Sequence, residues 1–538
     1  MVRPPPMGPL PEPAAAEPPS PEPLPPALAH PAFPQLSDDD VREALGHGGY
    51  PLSGLDALVQ AVEPEPIREA VQSVYERRGG AFVWSDGPEL LPAARRILRL
   101  LGEAEDHGVR ADALRSRELV AMGGALDENQ TAVEAVLSDP DAVRPLLTER
   151  GKLFARLDAQ LTSAALGLAR QLGATSLSGK ALGNALPEER ELDAWAAALV
   201  PWHPQYQRLV TAMARYRRYA RGRSFNPIPW PKPLANLGKT GADDAVLALR
   251  ERLWAEEFLD KREAVRNAGL DAAVKRGVVR FQKSRGLDAT GRVDAETARL
   301  LDLSPSELVG QIGRALREWR ASPTRWQRTF LEVNLPEYAV ELYVAGRRVA
   351  RHRAVIGYAY GSGGGLTKRF HSQVVDVTLN PGWTPSDDIL LNELLPGEEV
   401  EPGQLARKGF TWFTRPDGRR GVYQLPGDKN ALGRAAIRFA DSKLIYLHGV
   451  PALQQDQFEA AMRAKSHGCV RVEGVEALAW RILEHDGTLA RAEFDEALTS
   501  KRSRTVALTQ ALPIHFEYVA VVVDDDGVVR FLPNVYRQ

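Results

Sequence analysis

The chain has 538 residues, of which 44% are apolar and 26% charged, and its formal net charge is −2. This length and composition indicate several globular domains and exclude a fibrous or wholly disordered chain. Without a basic excess and without an apolar run near the roughly 20 residues that span a bilayer, neither a nucleic-acid-binding nor an integral membrane protein is expected.

A proline-rich segment occupies residues 1–36, where 14 of the 40 prolines lie. Such a composition cannot bury a core, so it predicts an extended, disordered tether. The first residues carry no charged start followed by an apolar stretch, and no secretion signal is therefore visible.

Helical periodicity dominates residues 37–235. Apolar side chains such as Ala94 and Ile97 recur at spacings of three and four, which predicts a helical scaffold domain. The region carries no cluster of candidate catalytic groups, since its histidines His107 and His203 stand alone. We expect a supporting role for this region.

A compact helical unit is predicted at residues 236–305. Its characteristic positions are Ala273-Val274, Phe281-Gln282, Gly286-Leu287, Gly291, Thr297 and Leu300-Leu301. These residues resemble the small three-helix peptidoglycan-binding module, and the resemblance implies that fold. A plain helical spacer is the alternative. A helical connector follows at residues 306–325.

The periodicity changes to that of β-strands in residues 326–538. Apolar side chains alternate at Tyr338, Val340, Leu342 and Val344, and glycine-containing turns separate such runs. A glycine-rich segment, residues 361–365, predicts a mobile loop beside a site. The expected fold class is therefore multidomain α+β, with a β-rich domain after two helical regions.

The only cysteine, Cys469, lies in a chemically suggestive segment. A short apolar strand ends at His448-Gly449, and 18 residues after His448 comes Ser466-His467-Gly468-Cys469-Val470-Arg471, followed by a helical pattern. A thiol is nucleophilic as thiolate, and we expect a nearby imidazole and the positive end of a helix dipole to lower its pKa.

This constellation resembles the signature of the L,D-transpeptidases, in which HG precedes a spacer and SHGC. The resemblance implies that Cys469 is the nucleophile, that His448 is the base and that the Gly449 carbonyl orients its imidazole. His467 would shape the loop and is the reserve candidate for the base. Backbone N–H groups at Gly468 and Cys469 would stabilise the oxyanion.

The same resemblance implies the substrate and its surroundings. Ser466, Arg471, Tyr446 and Trp383 would line the substrate cleft. The substrates would be peptidoglycan stem peptides, joined by 3→3 cross-links with release of D-Ala, in the periplasm or cell envelope. No metal or organic cofactor is required, and carbapenem β-lactams would be inhibitors.

Three alternatives stay open from the sequence. The same acyl-enzyme would serve a carboxypeptidase or amidase with water as acceptor, or would transfer the stem to a free D-amino acid or a protein amine. A different alternative is a non-catalytic wall-binding scaffold, in which the helical regions carry the function and the β-rich domain is a relic. Finally, His448, His467 and Cys469 are residue types that bind Zn²⁺, although no further ligand motif accompanies them.

Overall fold

A computed structural model describes residues 65–86, 89–222, 226–239, 244–260, 263, 269–325, 327–358, 365–440 and 445–536. The tether predicted at residues 1–36 lies outside this set, as do residues 361–364 of the glycine-rich segment. Among the described residues, no helix has both the length and the apolar character needed to cross a membrane.

The chain divides into two compact units, and the first comprises residues 1–102, 114–167 and 177–193. Its core is organised around the buried carboxylate of Asp158, which accepts hydrogen bonds from the Tyr75 hydroxyl and from the Trp84 backbone N–H at 2.8 Å. The Trp84 indole donates to Thr162 Oγ1 at 2.8 Å. These bonds satisfy polar groups that would otherwise be buried without partners.

Helices make up most of the described part of this first unit, in agreement with the predicted helical scaffold. The helices are Glu65–Arg77, Pro92–Gly102, Ser116–Ala135, Pro140–Gln171, Gly179–Asn184 and Glu189–Ala198. The fourth and the last of them continue into the second unit. A 3₁₀ turn at Asp112–Leu114 and two short paired strands, β1 (Ser85–Asp86) and β2 (Glu89–Leu90), complete the list.

The second unit comprises residues 103–113, 168–176 and 194–538. Its helical part consists of Pro204–Gly222, Asp244–Ala255, Ala272–Ser284, Ala295–Leu301 and Pro305–Ala321, with short 3₁₀ turns at Leu234–Asn236 and Pro323–Arg325. The carboxylates of Asp271 and Asp294 cap two of these helices by accepting the N–H groups of Val274 and Thr297. Asp is favoured at such N-caps because its oxygen pairs with a helix N–H that has no partner within the helix.

The remainder of the second unit is the predicted β-rich domain. Its strands are β3 (Phe330–Asn334), β4 (Ala339–Val344), β5 (Arg347–Gly357), β6 (Phe370–Leu379), β7 (Phe410–Thr414), β8 (Arg420–Gln424), β9 (Ala435–Phe439), β10 (Leu447–His448), β11 (Ala464–Ser466), β12 (Val470–Val472), β13 (Arg504–Glu517), β14 (Val521–Val523) and β15 (Val529–Phe531).

Eight of these strands pair in a closed ring, in the order β4-β5-β12-β10-β9-β6-β13-β3 and back to β4, and β11 pairs with the end of β5. The 3₁₀ segment Ala452–Phe458 and the helices Val475–Asp486 and Arg491–Thr499 complete the domain. The side chains of Leu478, Ile482 and Phe494 pack against the apolar side chains of the strands in one buried core.

An insertion, residues 383–425, lies between β6 and β9. It contains the helical segments Asp387–Ile389, Leu390–Leu394, Leu395–Val400 and Gln404–Arg407 and the hairpin of β7 and β8. Leu390, Leu405, Phe410 and Val422 form a small core of its own. The buried Gln424 fastens its end, because its amide donates to the carbonyls of Lys408 and Lys429, each at 2.9 Å.

An imidazole and a carboxyl group are buried together in this second unit. His203 and Glu332 are almost inaccessible, and the Nε2 atom of His203 lies 3.4 Å from a Glu332 oxygen. The His203 Nδ1 atom accepts the Gln205 N–H, so the neutral ring carries its proton on Nε2. Burial lowers the pKa of His203 to about 3, and burial together with neighbouring glutamates raises the pKa of Glu332 well above its usual range. Burial therefore favours the neutral form of both groups.

We expect Glu332→Gln to become more stabilising as pH rises. A carboxyl group whose folded pKa is raised loses stability as pH increases from its unfolded pKa through the folded one, and an amide does not titrate. The melting temperature of the variant minus that of the native chain should therefore be larger at pH 8 than at pH 5. The increase should be roughly 2 to 4 °C for each kcal/mol of destabilisation that the amide removes. Glu484→Gln, at an exposed pair with Arg481, is the control. A pH-independent difference for Glu332→Gln would contradict the assignment of a neutral buried acid.

Candidate active site

The signature residues meet on two neighbouring parallel strands. β10 and β12 pair with Leu447 opposite Val470 and His448 opposite Arg471. The side chains of Leu447 and Val470 are fully buried in the core of the domain. Because side chains alternate along a strand, His448 and Arg471 lie on the other side of the sheet.

The same register brings Cys469 beside Tyr446. The Val470 N–H donates to the Tyr446 carbonyl at 3.0 Å, and a backbone hydrogen bond from Tyr446 reaches the Cys469 thiol group. Arg471 lies close enough to both His448 and Cys469 for its charge to lower the pKa of each. The predicted nucleophile and the predicted base therefore share one small region.

The His448 imidazole is held in the tautomer that a general base requires. Its Nδ1 atom lies 2.6 Å from the Gly449 carbonyl oxygen, which can only accept, so Nδ1 carries the proton and Nε2 has a lone pair. Burial, followed by the charge of Arg471, lowers the pKa of His448 to about 4. The ring is therefore neutral, and able to accept a proton, throughout the neutral pH range.

Close backbone packing positions the Gly449 carbonyl. A Cβ atom on Gly449 would come within 2.8 Å of the Val475 side chain, and one on Gly433 would come within 2.6 Å of the Val450 nitrogen. Gly433 also has a φ of +66°, which favours glycine. The turn before β9 can thus lie directly against the His448-Gly449 segment.

The turn that presents Cys469 is closed by Ser466. The buried Ser466 hydroxyl donates to the Cys469 carbonyl at 2.5 Å and accepts the Gly468 N–H at 3.2 Å. Gly468 has a φ of +115°, a region that side-chain-bearing residues rarely adopt. The Gly468 N–H is thus engaged within the turn, which weakens the expectation that it serves as an oxyanion donor.

The expected effect of a helix dipole on Cys469 is wrong. The structure places β12 directly after the cysteine, and the helix begins only at Val475, so the thiol is not at a helix N-terminus. Burial raises the pKa of Cys469, against the smaller lowering effects of Tyr446 and Arg471. The resting thiol is therefore protonated and depends on a base for its activation.

The other predicted residues make specific contacts. His467 Nε2 lies 2.5 Å from the carboxylate of Glu393 in the insertion, and both side chains are substantially exposed. Arg471 donates to the Gln457 side-chain oxygen at 2.7 Å. Trp383 is half-buried and packs against the small core of the insertion, where it contacts the ring of Phe410.

Three residues that contact the site, Glu393, Gln457 and Thr367, belong to no motif in the sequence. Glu393 and Gln457 are ordinary surface types in sequence, and Thr367 lies a hundred residues before the cysteine. No cluster of three or more metal-binding side chains occurs within the part of the chain that the structure describes. The zinc reading of His448, His467 and Cys469 therefore has no geometric support from the described residues.

Comparisons with known proteins agree with the domain organisation. Residues 328–489 match the family model of the L,D-transpeptidase catalytic domain, residues 69–213 match the "Scaffold domain" and residues 242–301 match the "Putative peptidoglycan binding domain". The recognition of these three domain types and the α+β fold class are confirmed.

Individual relatives are more distant. A protein of Haemophilus influenzae named "Putative L,D-transpeptidase" is 26% identical over 220 residues, which cover 38% of this chain and 43% of that protein. The match thus spans less than half of that relative. A crystal structure of an L,D-transpeptidase from Xylanimonas cellulosilytica is similar over 51% of this chain and 94% of its own, with 17% identity and a TM-score of 0.17.

We expect the resting thiol to react slowly with a simple alkylating agent. Because burial raises the pKa of Cys469, its alkylation by iodoacetamide should be slower at pH 7 than that of N-acetylcysteine and should keep rising above pH 9. Mass spectrometry of the intact chain follows the reaction on its single cysteine. A rate that levels off below pH 7 would instead indicate a preformed pair of thiolate and imidazolium.

Proposed function

We propose that this chain, which carries an L,D-transpeptidase catalytic domain with a scaffold domain and a peptidoglycan-binding domain, transfers an acyl group from a peptidoglycan stem peptide through a thioester on Cys469. The observation that supports this most directly is the bond between His448 Nδ1 and the Gly449 carbonyl. It keeps Nε2 of a neutral imidazole available as a base beside a protonated thiol.

The acylation step follows from these protonation states. His448 Nε2 removes the thiol proton as the sulfur of Cys469 bonds to the donor carbonyl carbon, and the electron pair of the C=O bond moves to oxygen. The N–H of Cys469 stabilises this oxyanion. When the C=O bond re-forms, the bond to the leaving D-Ala nitrogen breaks, and His448 returns the proton to that amine.

The second half of the reaction regenerates the thiol. A side-chain amine of a neighbouring stem attacks the thioester carbonyl, loses a proton to His448, and expels the sulfur, which recovers that proton. The product is a 3→3 cross-link. Peptidoglycan substrates imply that the protein works in the periplasm or cell envelope, and a carbapenem would acylate the same thiol.

His448 is a better candidate for the base than His467. The carboxylate of Glu393 occupies Nε2 of His467, and this pair lies at the exposed edge of the site. The buried His448 has a fixed tautomer and a pKa of about 4, whereas the exposed contact of His467 with Glu393 does little to orient the ring.

We expect the mutants of three residues to separate these roles. Incubation with a disaccharide-tetrapeptide should give a thioester on Cys469 and a 3→3 dimer, both identified by mass spectrometry. Cys469→Ala should fold and form neither. His448→Ala should slow acylation by about 100-fold or more because the base is lost, and His467→Ala should slow it much less.

The products also distinguish the acceptors. A tripeptide without dimer would indicate a carboxypeptidase, and a stem bonded to an added D-amino acid or to a protein amine would indicate exchange or attachment. A folded Cys469→Ala protein that still forms product would contradict the cysteine mechanism. A native chain that forms no thioester with either the tetrapeptide or a carbapenem would favour the non-catalytic scaffold.

A further inference from the structure

The hydroxyl of Thr367 is buried beside the catalytic turn, and the steps above do not use it. Thr367 is 1% exposed and follows the glycine-rich segment in sequence. Its Oγ1 atom accepts the Gly357 N–H at 2.8 Å and donates its own proton to the Gly468 carbonyl at 2.8 Å. One hydroxyl therefore joins the end of β5 to the peptide that precedes the nucleophile.

The second of these bonds acts on a chemically important peptide unit. The Gly468 carbonyl and the Cys469 N–H belong to the same planar, trans peptide, in which C=O and N–H point in opposite directions. A donor that holds the carbonyl therefore also sets the direction of the N–H. Because Gly468 has a φ of +115° and no side chain to restrict rotation, this orientation depends on external contacts.

The packing around Gly357 shows that the contact is built into the fold. A Cβ atom on Gly357 would lie 2.7 Å from the Thr367 nitrogen and 2.8 Å from the Gly468 Cα atom. The Tyr536 hydroxyl donates to the Gly357 carbonyl at 2.9 Å, and burial raises the pKa of Tyr536 to about 12, so this donor keeps its proton.

These bonds form a continuous chain. It runs from the Tyr536 hydroxyl to Gly357, through Thr367 to the Gly468 carbonyl, and from the Gly468 N–H through Ser466 to the Cys469 carbonyl. The peptide units on both sides of the Cys469 Cα atom are thus held by side-chain hydroxyls.

We propose that Thr367 is a positioning residue for acyl transfer, which orients the Gly468-Cys469 peptide so that the Cys469 N–H meets the developing oxyanion. The inference rests on the proposed function, because it concerns the stabilisation of an oxyanion in that reaction. Both of these hydrogen bonds of the Thr367 hydroxyl are to backbone groups. Its removal should affect reactions that form an oxyanion and spare those that do not.

Two reactions of Cys469 provide this distinction. Acylation by a carbapenem passes through an oxyanion, whereas alkylation by iodoacetamide is a substitution at a saturated carbon and does not. Both rates are measured on the full chain by mass spectrometry. The variants are Thr367→Val, Thr367→Ser and the control Thr378→Val. The Thr378 hydroxyl bonds to that of Thr505, and Thr378 lies on β6, two strands away from β10.

We expect Thr367→Val to slow acylation by roughly 10- to 100-fold, an effect no larger than that of removing a whole oxyanion donor. The rate of alkylation should stay within about 2-fold of the native rate, because alkylation forms no oxyanion. Thr367→Ser keeps the hydroxyl and should restore acylation to within a few-fold. Thr378→Val should behave like the native chain in both reactions. If Thr367→Val does not fold, Thr367→Ala gives the same comparison. Alanine also lacks the hydroxyl, but it places no methyl group against the Gly357 nitrogen and the Gly468 carbonyl oxygen.

Other results would overturn the inference. Native acylation by the Thr367→Val or Thr367→Ala variant would show that the bond does not orient the donor. An equal fall in acylation and alkylation, or no recovery with Thr367→Ser, would show a general structural role. A native chain that is alkylated but never acylated would contradict the proposed function itself and would remove the basis of the inference.

Discussion

Hydrogen bonds between β10 and β12, in parallel register, hold a histidine and a cysteine from distant parts of the motif on one side of a sheet. Side chains alternate along each strand, so a slip of one residue would turn His448 or Cys469 into the core and bring Leu447 or Val470 out of it. The burial of Leu447 and Val470 therefore fixes the register, and the register fixes the site. The apolar face of the strands specifies the geometry of the polar one.

Burial also sets the resting protonation of this site. The low-polarity surroundings that lower the pKa of His448 raise the pKa of Cys469, so both groups are neutral at the same pH. A charged pair would be costly to hold there without a substrate. In the proposed mechanism, the proton transfer that activates the sulfur is therefore coupled to the approach of the donor carbonyl, and the Cys469 N–H stabilises the charge that develops on the carbonyl oxygen.

The sequence predicted those parts of the structure that depend on local pattern. Helical spacing indicated the scaffold, strand alternation indicated the β-rich domain, and the HG and SHGC motifs marked the two strands that meet. The expected helix dipole at Cys469 failed because β12 has only three residues, too few for its alternation to be distinguished from the start of a helix. Contacts across long separations, such as those of Thr367 and Glu393, depend on the closed ring and the insertion and leave no periodic signal.

The raised pKa of Cys469 has a consequence for the durability of the protein. Peroxides oxidise the thiolate far faster than the thiol, and the irreversible sulfinic and sulfonic acids form from the same anion. In the proposed mechanism the sole cysteine stays protonated until substrate binds, so it is a poor target for such oxidants and a poor partner for stray disulfide exchange. The burial that raises the pKa of Cys469 thereby also protects the thiol from oxidation.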